Sequence, residues 1–320
     1  MIKCDTIKIK SNYKYLLNKK VNFNIFYDSK KNTPNGEYYS SNGNSDIPFN
    51  LYIATNYAKQ TLTLEFSSKI LFDDYPKLIT QETLPQCLCN LNNMGICTVD
   101  MDGVLNTGCI TKADITTDIP FELTDEVLTA LNNNVGNYRR FKWQHYDSKG
   151  ITFTKDVVGK GREEIKFYNK RKELSATVQN RLFLDLLKNR EQVEDYFSNK
   201  TRIEITLASQ PQIRNYLQID NTYFPAFFSS PANPILTQFD TVFDSSKTDA
   251  TISMDNYDTW TMMKILEQYN GNLQMIEQEV RSLYKFRSGV STRMEKFEQL
   301  QRMQNTTQRN KVQEVHNLLC

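Results

Sequence analysis

A tyrosine flanked by lysines, in the segment Lys166-Phe167-Tyr168-Asn169-Lys170, is the part of this chain best suited to chemistry. The segment has the composition of a β-strand, and alternate residues of a strand share a face, so Lys166, Tyr168 and Lys170 would point the same way. A phenol can attack phosphorus, and lysines can neutralise charge on phosphoryl oxygens. A free phenol has a pKa of ~10, so the attack needs assistance at neutral pH. We predict Tyr168 as a nucleophile, with Lys166 and Lys170 as supporting catalytic residues.

Carboxylates lie on two other short strand-like segments, one before Tyr168 and one after it. The alternation places Asp114 and Asp118 on one face of the first segment and Glu204 on one face of the second. If the three strands share a sheet, these acids surround the tyrosine. Carboxylate oxygens favour Mg²⁺ or Mn²⁺ over zinc, so Asp114, Glu204 and Asp118 are predicted metal ligands. The alternative is that the acids form ion pairs at the sheet surface.

His145 is one of only two histidines in the chain and lies close in sequence to the Tyr168 segment. A neutral imidazole could complete a metal shell or act as a general base. A solvated or packed histidine is the other interpretation. We include His145 among the predicted metal-binding residues.

Positive charge is concentrated around Tyr168, although the net charge of the whole chain is only +2. Residues 138–173 contain 11 Lys or Arg against 5 acids, interleaved with aromatic side chains. This pattern is typical of a surface that binds phosphates and stacks on exposed bases, although the aromatic residues could also belong to the core. The predicted DNA-binding residues are Arg139, Arg140, Lys142, Trp143, Lys160, Arg162, Arg171 and Lys172.

The order of these segments resembles the replication initiation proteins of filamentous phages and small rolling-circle plasmids. The resemblance begins at Met1-Ile2-Lys3-Cys4-Asp5 and continues at Leu62-Thr63-Leu64-Glu65-Phe66. It then includes Lys112-Ala113-Asp114, the Tyr168 segment and Arg202-Ile203-Glu204, over roughly residues 1–220. The resemblance implies metal-dependent nicking of a replication origin, a 5′-phosphotyrosine intermediate on Tyr168, and the cytoplasm of a bacterial host as the location.

Two features depart from the family pattern. The chain has Lys112-Ala113-Asp114 where the family usually has Arg-Ile-Asp, so the acid is retained and the arginine is replaced. The His-hydrophobic-His metal motif of many rolling-circle nucleases is missing, since the only histidines are His145 and His316. Metal binding would then depend mainly on Asp and Glu.

Composition indicates a globular, intracellular protein. Hydrophobic residues make up 39% of the 320 residues and aromatic residues 12%, which is enough for a sizeable core. No apolar run resembles a signal peptide or a membrane span. The six cysteines are unevenly spaced and lack paired Cys-x-x-Cys elements, so reduced thiols are expected rather than a disulfide framework or a zinc site.

The segment pattern predicts an α+β fold with a mainly antiparallel sheet, helices packed on one face and a C-terminal helical appendage. Thr124 is a predicted N-cap, and Gly95 a predicted helix stop. Residues 1–220 are the predicted catalytic and origin-binding domain. Residues 221–254 contain many helix breakers and are the predicted linker. Residues 255–320 are a predicted helical hairpin: apolar residues from Tyr269 to Leu283 are spaced by 4, 3, 4 and 3, and Gly289 separates them from a second predicted helix.

Together these patterns predict a rolling-circle replication initiator that nicks DNA and transfers strands. Its expected partners are the origin and its single-stranded segment, with a host polymerase and helicase, and the C-terminal helices could support an oligomer. No Walker-type phosphate loop is present, in keeping with a tyrosyl ester that conserves the phosphodiester energy. The alternative is a non-enzymatic DNA- or RNA-binding protein with a helical assembly region.

Overall fold

The computed structural model describes residues 1–27, 33–136, 141–146, 150–155, 163–243, 257–304 and 306–320; the side chains of residues 141–146, 302–304 and 306–309 are outside the description. This part of the chain contains twelve strands. The strands are β1 (Cys4–Asn12), β2 (Leu16–Lys19), β3 (Asn24–Tyr27), β4 (Pro34–Ser40), β5 (Leu51–Asn56), β6 (Thr61–Ser67), β7 (Cys97–Val99), β8 (Cys109–Ile119), β9 (Phe141–Tyr146), β10 (Gly150–Lys155), β11 (Glu163–Asn169) and β12 (Thr201–Leu207).

Ten of these strands form one antiparallel sheet in the order β3-β4-β5-β6-β1-β8-β12-β11-β10-β9, and β2 pairs with β7 separately. The sheet confirms the predicted α+β class and its antiparallel pairing. The three strands that carry the predicted chemical residues, β8, β12 and β11, are direct neighbours. The first strand lies in the middle of the sheet, between β6 and β8.

The described residues form thirteen α-helices. They are α1 (Leu84–Asn93), α2 (Met101–Thr107), α3 (Asp125–Asn133), α4 (Lys170–Ala176), α5 (Val178–Asp185), α6 (Arg190–Tyr196), α7 (Gln210–Leu217), α8 (Phe224–Phe228), α9 (Pro234–Phe243), α10 (Tyr257–Gln268), α11 (Leu273–Leu283), α12 (Arg287–Gln304) and α13 (Thr306–Leu319). A 3-10 segment, Ser68–Lys77, follows β6. No described helix combines the length and apolar character required to cross a bilayer.

One face of the sheet is apolar and carries the main core. Ile115, Ile205 and Ile165 lie opposite one another on β8, β12 and β11, and all three are buried. Helix α9 packs on these same three strands. Its Phe239 and Phe243 rings lie edge-on to Phe167, each 6.1 Å away between centroids. Since neighbouring residues of a strand face opposite ways, this packing directs Tyr168 to the other face.

The other face is polar, and helical elements cover one end of it. The rings of Tyr75, from the 3-10 segment, and Phe197, at the end of α6, lie against the Arg202 guanidinium at 5.3 and 5.1 Å. Phe183 of α5 packs edge-on against Tyr75. Helices therefore occupy both sides of the sheet, although those on the polar face cover only part of it.

Local sequence signals set several helix ends. The Thr124 hydroxyl accepts a hydrogen bond from the Val127 amide, so the predicted N-cap begins α3. Gly95 adopts a φ of 75°, two residues after α1 ends, which confirms the predicted stop because glycine tolerates this left-handed conformation.

The segment predicted as a linker contains two buried helices, α8 and α9. Phe227 and Phe239 are fully or nearly fully buried in the core, and α9 contacts the central strands. Pro225 and Pro234 lie at the starts of these helices, where a missing amide proton is tolerated, and Pro231 lies in the connection between them. The C-terminal region forms four helices, α10 to α13, instead of a two-helix hairpin.

Candidate functional site

The polar face of β11 and β12 holds a hydrogen-bonded group of three side chains. The Tyr168 hydroxyl donates to Oε2 of Glu204 at 3.2 Å. The Lys166 ammonium donates to the other oxygen, Oε1, at 3.2 Å and also pairs with Glu164 at 2.8 Å. Lys166 lies directly opposite Glu204 in the ladder, so the strand register itself sets this contact. One carboxylate therefore connects the predicted nucleophile to the predicted cation.

Burial shifts the proton affinities of this group. Burial and the charge of Glu204 raise the pKa of Tyr168 well above its ordinary value. Burial also raises the pKa of Glu204, and the negative charge of Asp114 adds to that shift against the opposing charge of Lys166. The phenol is thus protonated at neutral pH, and it can lose its proton most directly to the carboxylate that it already contacts. The geometry suits Glu204 as a general base.

Asp114 lies diagonally across from Glu204 on the neighbouring strand β8. Thr206 is opposite Asp114 in the ladder, and its hydroxyl donates to Oδ1 of Asp114 at 2.8 Å. Burial raises the pKa of Asp114, and the hydrogen bond from Thr206 and the charge of Lys112 act against that increase. Two carboxylates of raised pKa therefore lie on neighbouring strands, and the charge of Asp114 disfavours the ionised form of Glu204.

A buried arginine organises the adjacent part of the site. Arg202, with no exposed surface, forms a two-point ion pair with Asp118 at 2.7 and 2.8 Å. It also donates to Asp5 at 2.9 Å and to the Tyr75 hydroxyl at 3.0 Å. Removal of one partner from such a buried pair typically costs 3–5 kcal/mol, because the remaining charge is left without compensation. This pairing makes Asp118 a structural partner of Arg202 and gives no support to its prediction as a metal ligand.

A β-bulge brings Asp5 into this network. Cys4 pairs with Ile115 and Thr6 pairs with the next residue of β8, Asp114, so Asp5 is an extra residue on β1. Regular alternation would place Asp5 on the same face as buried Ile7, but the extra residue turns it to the polar face. Burial alone would raise the pKa of Asp5, but the charges of Lys170 and Arg202 outweigh that effect and lower it to about 2. Asp5 therefore remains ionised.

Lys170 is buried behind Tyr168, at the start of α4. Its ammonium lies 5.3 Å from the centroid of the Tyr168 ring and 5.6 Å from that of Tyr75, and it pairs with Glu173 at 2.8 Å. Burial and the neighbouring charge of Lys170 lower the pKa of Lys69, on the 3-10 segment, to about 8. The Lys170 ammonium therefore lies near the ring of Tyr168 and is buried. The sequence predicted instead that Lys170 would lie on the open face of the strand, beside Lys166 and Tyr168.

The donor set at Asp114 and Glu204 is compatible with a hard divalent cation. Within the described part of the chain, no cluster of three or more His, Cys, Asp or Glu side chains has the arrangement of a metal site. Mg²⁺ commonly uses only one or two protein carboxylates and completes its shell with water and substrate phosphate. A cation between these two acids would also relieve their mutual repulsion.

The remaining predicted residues fall mainly outside the description. His145 lies on β9, where the ladder pairs it with Ile151 of the buried apolar face, and its side chain is not described. Lys142 and Trp143 are also on β9 with side chains outside the described part. Arg139, Arg140, Lys160 and Arg162 lie outside the described residues altogether. Arg171 and Lys172 are exposed on the first turn of α4, next to the site.

Comparison with models of protein families, with curated proteins and with solved structures finds no match to this chain. Assignment of a function therefore depends on the geometry of the site and on the sequence motifs.

Proposed function

We propose that this protein is a DNA nickase and strand transferase of the rolling-circle type, with Tyr168 as the nucleophile. The observation that carries the proposal is the hydrogen bond from the Tyr168 hydroxyl to the Glu204 carboxylate. The other oxygen of this carboxylate accepts a hydrogen bond from the Lys166 ammonium. A nucleophile in contact with its base, beside a cation able to stabilise phosphoryl oxygens, is the arrangement that phosphoryl transfer to a side chain requires.

In the first step the Tyr168 oxygen attacks a backbone phosphorus while Glu204 accepts the phenolic proton. The bond from phosphorus to the 3′ oxygen breaks, and that oxygen takes a proton from water and leaves as a 3′-OH. The products are a 5′-phosphotyrosyl protein and a primer end for a polymerase. Attack of a 3′-OH on the ester reverses these bond changes and reseals the strand, so no nucleotide hydrolysis is needed.

Several side chains keep this chemistry in place. Lys166 stays protonated because the carboxylates of Glu204 and Glu164 outweigh the effect of burial, which would lower its pKa. Asp114 and Glu204 would hold Mg²⁺ or Mn²⁺, which would supply charge to polarise the scissile phosphate. The ion pairs of Arg202 hold β12 against β8 and β1, and so fix Glu204 beside the tyrosine.

The competing candidate is a non-enzymatic nucleic-acid-binding protein. It is favoured by the raised pKa of Tyr168, which disfavours the phenolate, and by the ion pairs that already satisfy Lys166. In that case the hydrogen-bonded side chains of Tyr168, Glu204 and Lys166 would stabilise the sheet, and the basic surface would bind nucleic acid without cleaving it.

The decisive test is covalent capture of single-stranded DNA. The full chain is incubated with Mn²⁺ and an oligonucleotide labelled on the side 3′ to the cleavage position, and protein carrying label is sought on a denaturing gel. The wild-type protein should form the adduct, and Tyr168→Phe should abolish it with little change in DNA affinity, because one hydroxyl is removed from a surface dominated by phosphate contacts.

Tyr216→Phe is the matched control, since this half-buried tyrosine on α7 donates to Gln238 away from the polar group. It should form the adduct at the wild-type rate. An adduct with Tyr168→Phe would identify another nucleophile, with Tyr146 as the next candidate. Absence of any adduct with the wild-type protein, despite tight DNA binding, would favour the non-enzymatic candidate.

A further inference from the structure

A cavity of about 370 Å³ lies at the end of β1, apart from the tyrosine group. Two lysines, Lys10 and Lys14, and two tyrosines, Tyr15 and Tyr223, contribute to its wall, together with the half-buried thiol of Cys109. We call it the Lys10 pocket. None of the described residues that line it is acidic. The volume is within the range that small-molecule sites occupy.

The lysines of this pocket differ from the other lysines on the same part of the sheet. Lys8 and Lys112 share Glu65 as a carboxylate partner, at 3.0 and 3.1 Å. Across the residues that the structure describes, neither Lys10 nor Lys14 has a carboxylate partner. Two uncompensated ammonium groups at the wall of a cavity favour an anion from outside the protein.

The aromatic residues of the pocket suit a base attached to that anion. The side chain of Tyr223 is 52% exposed, which is high for a tyrosine, and its backbone is bridged to Cys109 at the start of β8. Tyr15 lies under the Lys14 ammonium, 5.1 Å from the ring centroid. A planar ring next to a positively charged wall is the combination with which proteins bind single-stranded nucleic acid.

Strand β1 runs from the proposed active site to the pocket. Thr6 lies opposite Asp114 in the ladder, and Lys10 is four residues further along the same strand. At ~3.4 Å per residue, the separation along β1 is about 14 Å. Thr6, Lys8 and Lys10 share a face, since they alternate along the strand. A nucleic-acid strand that passes Tyr168 could follow this face of β1 to the pocket.

We infer that the Lys10 pocket binds one nucleotide of the single-stranded DNA that passes through the nicking site. Its phosphate pairs with Lys10 and Lys14, and its base stacks on Tyr223. The inference deepens the proposed function and depends on it for the identity of the strand. The ligand chemistry is that of a nucleoside phosphate, which either a DNA strand or a free nucleotide could supply.

The first test measures binding without cleavage. In a Tyr168→Phe background, the double change Lys10→Ala and Lys14→Ala should weaken binding of a labelled single-stranded oligonucleotide about tenfold, as measured by fluorescence anisotropy. The slope of log K against log salt should become shallower by about 0.7 for each phosphate that the lysines no longer neutralise. Unchanged affinity and slope would overturn the inference.

A matched control removes the same charge elsewhere. Lys264 and Lys285 are exposed on or next to the C-terminal helices α10 and α11, and their double change to alanine should leave affinity and salt slope at the values of the Tyr168→Phe protein. An equal decrease in this control would mean that net charge is responsible, and the pocket would not be the cause. All the substituted lysines are exposed, so thermal denaturation should confirm that both double variants stay folded.

The stacking part of the inference has its own variants. Tyr223→Ala should weaken oligonucleotide binding at least about fivefold, whereas Tyr223→Phe, which keeps the ring, should bind like the parent. If Tyr223→Ala binds the oligonucleotide with the affinity of the parent protein, the base does not stack on Tyr223, and the inference is contradicted.

Chemical protection locates the strand directly. Cys109 lines the pocket and Cys320 is exposed at a distance in sequence, so mass spectrometry can compare their alkylation in one sample. The oligonucleotide should protect Cys109 and leave Cys320 unchanged. Equal alkylation of Cys109 with and without DNA would contradict occupancy of the pocket.

A final comparison separates the two sources of a nucleoside phosphate. A deoxynucleoside monophosphate should protect Cys109 only at concentrations far above those of the oligonucleotide, since it lacks the neighbouring phosphate contacts. Equal affinity for the mononucleotide would assign the pocket to a free nucleotide and overturn the DNA assignment. Failure of nicking by the wild-type protein, with lysine-dependent DNA binding intact, would instead refute the proposed function and leave the pocket in place.

Discussion

In the proposed mechanism, Glu204 is the base that accepts the proton of the Tyr168 hydroxyl. Only its carboxylate form can accept the phenolic proton, and burial raises its pKa above the ordinary range. The rate of adduct formation should therefore rise as pH increases through this raised pKa and level off above it. Glu204→Gln should remove this rise and lower the rate by about 10²–10⁴-fold, the usual contribution of a general base. Initial rates of oligonucleotide capture across the pH range measure both effects.

Glu65→Gln is the control for that prediction, because Glu65 also accepts from lysines on the polar face but does not contact Tyr168. In the Glu65→Gln protein the rate of adduct formation should still rise with pH. A Glu204→Gln protein with the wild-type pH profile would mean that another group takes the proton, and Lys69, with its pKa lowered to about 8, would be the first alternative.

The sequence identifies the residues that regular strand alternation exposes, and it misses those that depend on irregular backbone. Alternation of side chains along a strand predicts the exposed face that carries Tyr168, Lys166, Asp114 and Glu204. The structure places these residues close together on neighbouring strands. Asp5 has the parity of the buried residues of β1 and reaches Arg202 only through the bulge. The bulge depends on pairing with β8, more than a hundred residues away, so local sequence carries no signal for it.

At the scale of secondary structure, the position of Tyr168 depends on how closely β10 approaches β11. Gly150 lies directly opposite Tyr168, and a Cβ atom on Gly150 would lie 2.7 Å from the Tyr168 Cβ and 2.4 Å from the Phe167 carbonyl oxygen. Contacts this short with backbone cannot be relieved by side-chain rotation. A glycine here allows the two strands to pair at Tyr168.

Gly150→Ala should therefore shift the end of β11 and separate Tyr168 from Glu204. We expect a decrease in adduct formation of at least about tenfold and a decrease in stability of about 1–3 kcal/mol, the usual cost of overpacking. Single-turnover capture and urea denaturation measure the two. Gly289→Ala in α12, where only the flexible Tyr284 ring stands in the way, should leave capture unchanged. A wild-type capture rate in Gly150→Ala would show that strand spacing does not position Tyr168.

Capping residues and tertiary contacts decide where the helices of this chain begin and end. The apolar spacing of Leu182, Leu186, Leu187 and Val193 favours one amphipathic helix over residues 173–197. This range instead contains the end of α4 and the helices α5 and α6, because Thr177 and Asn189 interrupt it. Thr177 is extended and its hydroxyl caps α5 by accepting from the Asn180 amide. A capping residue inside an otherwise periodic segment divides the helix when tertiary contacts favour the break.

At the scale of the whole molecule, the C-terminal helices are part of the packing around the sheet. Helix α13 packs on α3 and α9, and α9 packs on β8, β11 and β12. Val315 and Leu319 of α13 are buried. The Asn233 side chain, just before α9, donates to the carbonyl oxygen of Leu319. The end of the described chain is thereby linked to the strands that carry Tyr168 and Glu204.

Two adjacent leucines test this link. Leu319 is 7% exposed and Leu318 is 40% exposed. Leu319→Ala should lower the free energy of unfolding by about 2 kcal/mol, because it leaves a cavity beside α9, whereas Leu318→Ala should change it by less than about 0.5 kcal/mol. Denaturant titration of both variants decides the point. Equal, small effects would show that α13 contributes little to the stability of the sheet.

The central position of β1 constrains the order in which a nascent chain can fold. This strand is synthesised before its partner β8, which ends at Ile119, and before β12, the strand on the far side of β8, which ends at Leu207. The covering helices α9 and α13 are translated later still, and at ~5–20 residues per second the roughly one hundred residues from β12 to α13 take about 5–20 s. Until α9 is complete, the apolar face of β8 and β12 lacks the helix that packs on it. Ribosome-bound intermediates that end between β12 and α9 should accordingly be the species most prone to aggregation during biosynthesis.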